Sequence, residues 1–416
     1  LVNYQIKLKG KEKVLVLCNA KVINGESDKI MENATIIIEK DHIISVGQHL
    51  NIPEEAQVID LKNNFLLPGF SDVHTHFGGT ADINRPPHTG RFVSYNYAEH
   101  REKALYWGVT AIRSAGDFMP DIIEIKEMEK RGELSSPHIV TAGRMIQVKA
   151  GHPGYTVLFA EENILKNELV LADEHTDLCD EVRKLVAAGV DWIKVIISDL
   201  DVIHYPNKVP RLTRQQISQI ITTAHELNRP VMAHIDHIED MKEALICGVD
   251  SIEHTINYAV TTGKVMTEDV LHMLKEQNVW VVPTMVSTKY HDGNIEGVEP
   301  VFPDLCKAVR SMIDAGVNIG VGCDSGTPFV PYGLCVHEEM ELLCDVGMSP
   351  MEAIISATSG NAKLMRCEKE FGTVAAGKRA DLVVIGSDPI SDIRNTRDIR
   401  MVIHNGRVVR DDFLSI

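Results

Sequence analysis

Phe65-Leu66-Leu67-Pro68-Gly69-Phe70-Ser71-Asp72-Val73-His74-Thr75-His76 divides the chain into two rhythms. Before it, short strand-like runs follow one another closely: 14–17, 21–23, 34–38, 43–46 and 58–60, separated by turns such as Asn24-Gly25 and Lys40-Asp41. After Pro68-Gly69, apolar runs alternate with helix-length segments. The runs cover 70–74, 109–114, 138–142, 192–197, 231–234, 251–254, 280–284 and 319–324, which makes eight. Between them, 121–131, 179–188, 213–227, 238–247, 267–276 and 303–315 read as helices, several followed by a stopping glycine such as Gly248 or Gly316. Eight strands alternating with helices predict an α/β protein with a closed (β/α)8 TIM-type barrel over residues 68–365. From about Gly372 the strand rhythm returns in 381–385, 401–403 and 407–409. This tail is too short to bury a core alone. The expectation is a small composite β-sandwich domain formed by both chain ends, 1–67 and 366–416.

The quoted stretch also ends in His-x-His. Residues i and i+2 of a strand point to one side, so His74 and His76 could share a metal ion. A turn with two histidines is the plain alternative. Other strand-like runs end the same way: Lys194 lies in Trp192-Ile-Lys-Val-Ile-Ile-Ser198, His234 ends Pro230-Val-Met-Ala-His, His254 ends Ser251-Ile-Glu-His, and Asp324 ends Asn318-Ile-Gly-Val-Gly-Cys-Asp. In a (β/α)8 barrel the C-terminal strand ends line one mouth, so all six residues would meet there. Lys194 could instead pair with Asp191 or Asp199, and Asp324 could cap the segment opening at Ser325-Gly326. The long connections at 77–98, 142–177, 199–212 and 285–301 are read as lids or substrate contacts, or as surface insertions.

Composition bounds the rest. The 416 residues carry 42 Lys+Arg against 59 Asp+Glu, a net charge of −17. That argues against nucleic acid or an anionic membrane as partner. The eight cysteines are scattered without a C-x-x-C, which suits reduced thiols in a cytoplasmic protein. No basic-then-apolar leader and no apolar run of membrane-spanning length is seen.

The quoted stretch, Ile252-Glu-His254, Gly322-Cys-Asp-Ser-Gly-Thr-Pro328, Ala357-Thr358 with Asn361-Ala362, and Gly372-Thr-Val-Ala-Ala-Gly-Lys-Arg-Ala-Asp-Leu-Val-Val384 together resemble the amidohydrolase superfamily, in order and spacing over nearly the whole chain. Within it, the chain is similar to the imidazolonepropionase-like branch with its Xaa-Pro and Xaa-Arg dipeptidases. The resemblance implies two divalent metal ions, zinc first, with manganese, iron and cobalt also suited to the donor set. One ion would be held by His74, His76 and Asp324, the other by His234 and His254. Lys194 would bridge them as a CO2-derived carbamate.

The implied chemistry is hydrolysis of an amide C–N bond, most plausibly of a dipeptide or N-acyl amino acid. A metal-bridging hydroxide would attack, with Asp324 as general base and acid. A cyclic amide, carbamate or ester is the alternative substrate class. A non-catalytic barrel is a distant third, since such a chain would be expected to lack a ligand. His152, in Ala150-Gly-His-Pro-Gly154, resembles a histidine that contacts the substrate carbonyl, or is a surface loop residue. Tyr258 and Arg91 are substrate-binding candidates, Tyr95, Tyr205, Lys289 and Tyr290 lie in or near the same connections, and His237, three residues after His234, could equally start a helix. Many relatives carry an aromatic two positions after the strand histidine, where this chain has Asp236. A small-molecule partner is implied, and a homo-oligomer only by the resemblance.

Overall fold

The computed structural model describes residues 14–79, 92–156, 158, 162–200, 207–255, 266–292 and 301–413, the side chains of 92–96 and 163 excepted. Both chain ends build one sheet. Its path runs Arg407–Asp411, Ile399–His404, Leu382–Ile385, Phe65–Pro68, Leu15–Ile23, Ile30–Glu39, His42–Gly47, with Gln57–Asp60 also paired to Leu15–Ile23. Phe65–Pro68 is the junction: it runs parallel to Leu15–Ile23 and antiparallel to Leu382–Ile385. Strand alternation explains the two-sided burial. Leu382, Val384, Met401 and Ile403 join Leu15, Leu17 and Val22 in the sheet's own core. Their neighbours Val383, Ile385 and Val402 join Ile23, Phe65 and Leu67 against Phe70 and Val109 of the α/β part. Each such side chain contributes about 1.5–3 kcal/mol on burial.

The α/β part has parallel strands at each of the eight expected positions. Phe70–Thr75, Val109–Ser114 and His138–Thr141 form one run. Met145–Val148, Ile193–Ile196, Val231–His234, Ser251–Glu253, Trp280–Val282 and Asn318–Ile319 form the other, all parallel. Asp191 N donates to Thr141 O (2.8 Å) between the two runs. On the far side Val73 N donates to Val321 O (3.1 Å), Asp324 N to His74 O (2.7 Å) and His76 N to Ser325 O (2.7 Å). Gly322 is required at this second seam: a Cβ there would stand 2.5 Å from Val282 Cγ1 and 2.8 Å from His74 N.

Helix boundaries follow local chemistry. Arg214–Glu226 starts in a capping box of Thr213 with Gln216, and Ile238–Cys247 ends on Gly248 at φ 88°. Besides 77–98, which runs into the helix Phe92–Tyr106, two of the long connections are not plain loops. Segment 142–177 holds Met145–Val148, the helix Glu162–Asn167 and an additional strand, Leu169–Ala172, paired to Met145–Val148. Segment 285–301 begins with the helix Met285–His291, whose first turn is held by Met285 N and Val286 N donating to the buried Glu339 carboxylate (3.0 and 2.7 Å). The signal for both was short and lay between turn residues, and tertiary partners decided it. All eight cysteines are free thiols; Cys323 and Cys335 are buried and the others half-buried. No described helix is long and apolar enough to cross a membrane.

Candidate metal centre

His74, His234 and His254 come together, buried, at the C-terminal ends of their strands, with Lys194 inside the strand Ile193–Ile196, Asp324 a few residues past Asn318–Ile319, and the half-buried His76 beside them. The ring centroids of His74 and His254 are 4.7 Å apart, those of His234 and His254 4.6 Å, and those of His74 and His76 5.7 Å. Asp324 Oδ1 lies 3.3 Å from His76 Nε2 and 3.5 Å from His74 Nε2. His254 and Asp324 take left-handed backbone angles (φ 67° and 59°), as does Thr284 (φ 48°). Such conformations cost about 1–3 kcal/mol each in residues other than glycine and persist where surrounding packing enforces them.

One ring nitrogen of each histidine is committed. His74 Nδ1 donates to Glu253 Oε2 (2.6 Å), His76 Nδ1 to Gly116 O (2.9 Å), and His234 Nε2 to Asp236 Oδ2 (3.2 Å). His254 Nδ1 is bonded to Thr284 Oγ1 (2.8 Å). These bonds leave Nε2 of His74, His76 and His254, and Nδ1 of His234, as the second nitrogens. His74 Nε2 is fully buried without a hydrogen-bond partner, a costly arrangement for a polar atom unless a cation completes it. Ligand atoms of His74, His254 and Asp324 lie within 4.8 Å of one another, and so do those of His152, His234 and Asp236. This donor set of imidazole and carboxylate fits divalent metal ions of the zinc class.

The electrostatics point the same way. Burial, reinforced by Lys194, pushes His74 down to about 4, against the pull of Glu253. Burial, with His234 and His74, pushes His254 well below the ordinary imidazole value. Both rings are therefore neutral and available as ligands at neutral pH. Burial opposes ionisation of Asp324, but His76, His74 and His254 outweigh it and hold the carboxyl far below its usual range. Lys194, 1% exposed, is brought down to about 8 by burial. The alternative partners of Lys194 are occupied: Asp191 pairs with Lys126 (2.6 Å) and Asp199 with Lys208 (2.7 Å).

His152 is buried, its Nδ1 2.7 Å from Thr156 Oγ1 and its ring 5.0 Å from that of His234; it is not a surface residue. Tyr290 hydroxyl donates to Glu338 (3.1 Å), and His237 Nε2 is 3.9 Å from Asp199 Oδ1. Arg91, Tyr205 and Tyr258 lie outside the described residues, as does the side chain of Tyr95.

Sequence reasoning assigned no role to the layer behind the histidines. Glu253 accepts from His74, from Arg113 Nη2 (2.7 Å) and from Ser251 Oγ (2.5 Å), and Arg113 also donates to Val73 O (2.7 Å). Burial raises the Glu253 carboxyl, but Arg113 and then His74 overcome it and hold it well below the carboxylate range. Asp72 stitches the first strand to the last by accepting from His74 N (3.2 Å), Cys323 N (3.0 Å) and Ser325 Oγ (2.9 Å). Asp117 fixes the turn after His76 through Phe77 N (2.8 Å) and Gly78 N (2.7 Å). Ser287 Oγ donates to Asp324 Oδ2 (3.0 Å). The available signal was Glu253 inside the motif Ile252-Glu-His254; nothing in the sequence marked Arg113.

Residues 65–409 match the model of the amidohydrolase family, and the chain belongs to that family. Its relatives lie in the branch that includes imidazolonepropionase and Xaa-Pro dipeptidases. The chain is similar to an ochratoxinase from Aspergillus niger, 25% identical over 94% of this chain and 85% of that one. It is also similar to an imidazolonepropionase from Fusobacterium nucleatum subsp. nucleatum, 22% identical over 85% of each. Among solved structures it is similar to a Xaa-Pro dipeptidase with bound methionine in the active site (TM-score 0.82, 26% identity, 96% of this chain and 100% of that one).

Proposed function

We propose that this protein is a binuclear metal-dependent hydrolase that cleaves the amide bond of a dipeptide or N-acyl amino acid. The observation that carries the reading is the shared commitment of the four histidines, each tied by one nitrogen and gathered around Asp324 and Lys194. In this reading the eight parallel strands close into a (β/α)8 barrel over 68–365, with 1–67 and 366–416 as the composite β-sandwich domain. The two seams of backbone hydrogen bonds support closure.

His74, His76 and Asp324 would hold one ion, and His234 and His254 the other. Lys194 would bridge them as its carbamate. Two such ions supply Lewis acidity and a water activated at neutral pH. The protein's own residues do the rest. Burial of Lys194 enlarges the fraction of neutral amine, the form that attacks CO2. The attack makes an N–C bond, and the nitrogen sheds a proton to leave an anionic carbamate. Asp324 is ionised at rest, accepts the proton of the attacking water on its carboxylate and delivers it to the leaving nitrogen. Ser287 holds that carboxylate through Oδ2. His152 would contact the substrate carbonyl, and Arg91 and Tyr258 the substrate's other groups.

The likeness to the Xaa-Pro dipeptidase supports a dipeptide. The likeness to imidazolonepropionase favours a cyclic amide as the second reading. Amine release from a panel of dipeptides and N-acyl amino acids, with zinc-loaded protein in bicarbonate buffer, tests the first reading. Cleavage confined to one C-terminal residue class is expected. No release from any member, with two metals still bound per chain, would transfer the proposal to cyclic amides, carbamates or esters.

A further inference from the structure

Two buried carboxylates back the histidines, and they are built differently. Glu253 has partners on both oxygens, and its charge is matched by Arg113 at 2.7 Å. Asp236 is fully buried, accepts from His234 Nε2 on Oδ2 (3.2 Å), and its Oδ1 has no hydrogen-bond partner. Among the described residues no lysine or arginine forms an ion pair with it. Ligand atoms of His152, His234 and Asp236 all lie within 4.8 Å of one another, with the Ser198 hydroxyl beside the carboxylate and Lys194 close enough to feel its charge.

A carboxylate that takes the N–H of a metal-binding histidine fixes the tautomer and raises the basicity of the other nitrogen. An arginine on that carboxylate drains part of the effect, and Asp236 has none. We propose that Asp236 is a positioning residue: it fixes Nδ1 of His234 as the ligand nitrogen and makes the His234–His254 position the tighter of the two metal positions. The proposal rests on the metal reading given under Proposed function. It assigns to a residue with no role in that reading the task of ranking the two sites. Asp236 acts through His234 and does not itself touch substrate.

The test titrates metal-free protein with Co(II), following the visible spectrum, the ions bound per chain and each dissociation constant by chelator competition. In Asp236→Asn the tighter ion is expected to weaken by about 10–100-fold and its spectrum to shift, with the other ion unchanged. His254→Asn identifies the position: it is expected to abolish the same ion. Equal weakening of both ions, loss of the other ion alone, or unchanged constants and spectrum would overturn the proposal while leaving the two-metal reading in place. If Asp236→Asn does not fold, Asp236→Glu carries the test, since it keeps the charge and moves it by one methylene. A spectrum identical to the unaltered protein's would then overturn the proposal. Fewer than two ions in the unaltered protein would overturn the metal reading, and this proposal with it.

Discussion

Buried histidines and carboxylates form two clusters, one against the terminal sheet and one at the other end of the α/β part, and the two do opposite things. At the end facing the terminal sheet, His138 Nδ1 meets Glu129 Oε1 (2.8 Å) and Nε2 meets Asp381 Oδ2 (2.8 Å); His404 Nδ1 lies 2.8 Å from Asp381 Oδ1. Burial alone would lower His138, but Asp381 and Glu129 outweigh it and raise the imidazole to about 9. It is a cation held between two anions. At the other end, His74 and His254 give one nitrogen each to Glu253 and Thr284, and burial keeps the rings neutral. Composition does not separate the clusters, and both look able to hold a metal by donor type alone. Pairing does. A histidine with carboxylates at both nitrogens locks two elements together, whereas one paired at a single nitrogen keeps a lone pair to offer.

Breaking each cluster should therefore have separable effects. The largest is expected from Asp324→Asn, which removes the proton carrier. Turnover should fall by roughly 10²–10⁴-fold with a melting temperature close to the unaltered protein's, and a variant that keeps its rate would take Asp324 out of the chemistry. His138→Gln should do the reverse. It leaves Glu129 and Asp381 buried without their cation, at a cost of roughly 3–5 kcal/mol in urea unfolding, while kcat/KM of the folded protein stays the same. A variant as stable as the parent would refute the lock.

The same lock gives a pH dependence. The folded value of His138 lies above its unfolded value of about 6.5, so its contribution is whole below that pH and is lost as pH rises through about 9. Unfolding free energy should drop by about 3 kcal/mol between those limits, and more shallowly in His138→Gln; identical slopes would contradict the assignment. The smallest effect is expected from Ser287→Ala, which removes one hydrogen bond to Asp324. Steady-state kinetics should show a loss of no more than about tenfold, in line with about 1 kcal/mol for one bond. A thousandfold loss would mean that Ser287 does more than hold a carboxylate.

The sequence made legible whatever repeats or alternates. Each of the eight strand runs after Pro68-Gly69 has its counterpart, because Val- and Ile-rich strands buried on both faces read as continuous apolar runs. The return of strands after Gly372 and their union with the N-terminal ones were legible too. The two additional strands, Met145–Val148 and Leu169–Ala172, were not: each is four residues long, they pair with each other, and both lie inside the segment 142–177 read as a connection. The sequence offered His74, His76, His234, His254 and Asp324 as candidate ligands at or past strand ends, and Lys194 lies inside its strand. The layer behind them was not legible, and Glu253 shows why. Simple alternation puts adjacent strand residues on opposite faces, yet Glu253 bonds His74 while the His254 ring lies tilted against it, 4.7 Å between centroids. The left-handed backbone at His254 breaks the alternation, and although histidine visits that conformation more often than most residues, nothing around Ser251-Ile-Glu-His254 signals it. Arg113 was equally silent, since a buried arginine is visible only through the carboxylate it neutralises.

Phe65–Pro68 has one neighbour from the beginning of the chain and the other from its last tenth. During synthesis that strand therefore presents a bare hydrogen-bonding edge, with Phe65 and Leu67 on one face and Leu66 on the other, until residues 382–385 leave the ribosome about 310 residues later. The nascent chain cannot mature piece by piece from its start. A circular permutant that joins the two termini and opens in an exposed connection would bring these strands close in sequence and shorten that wait.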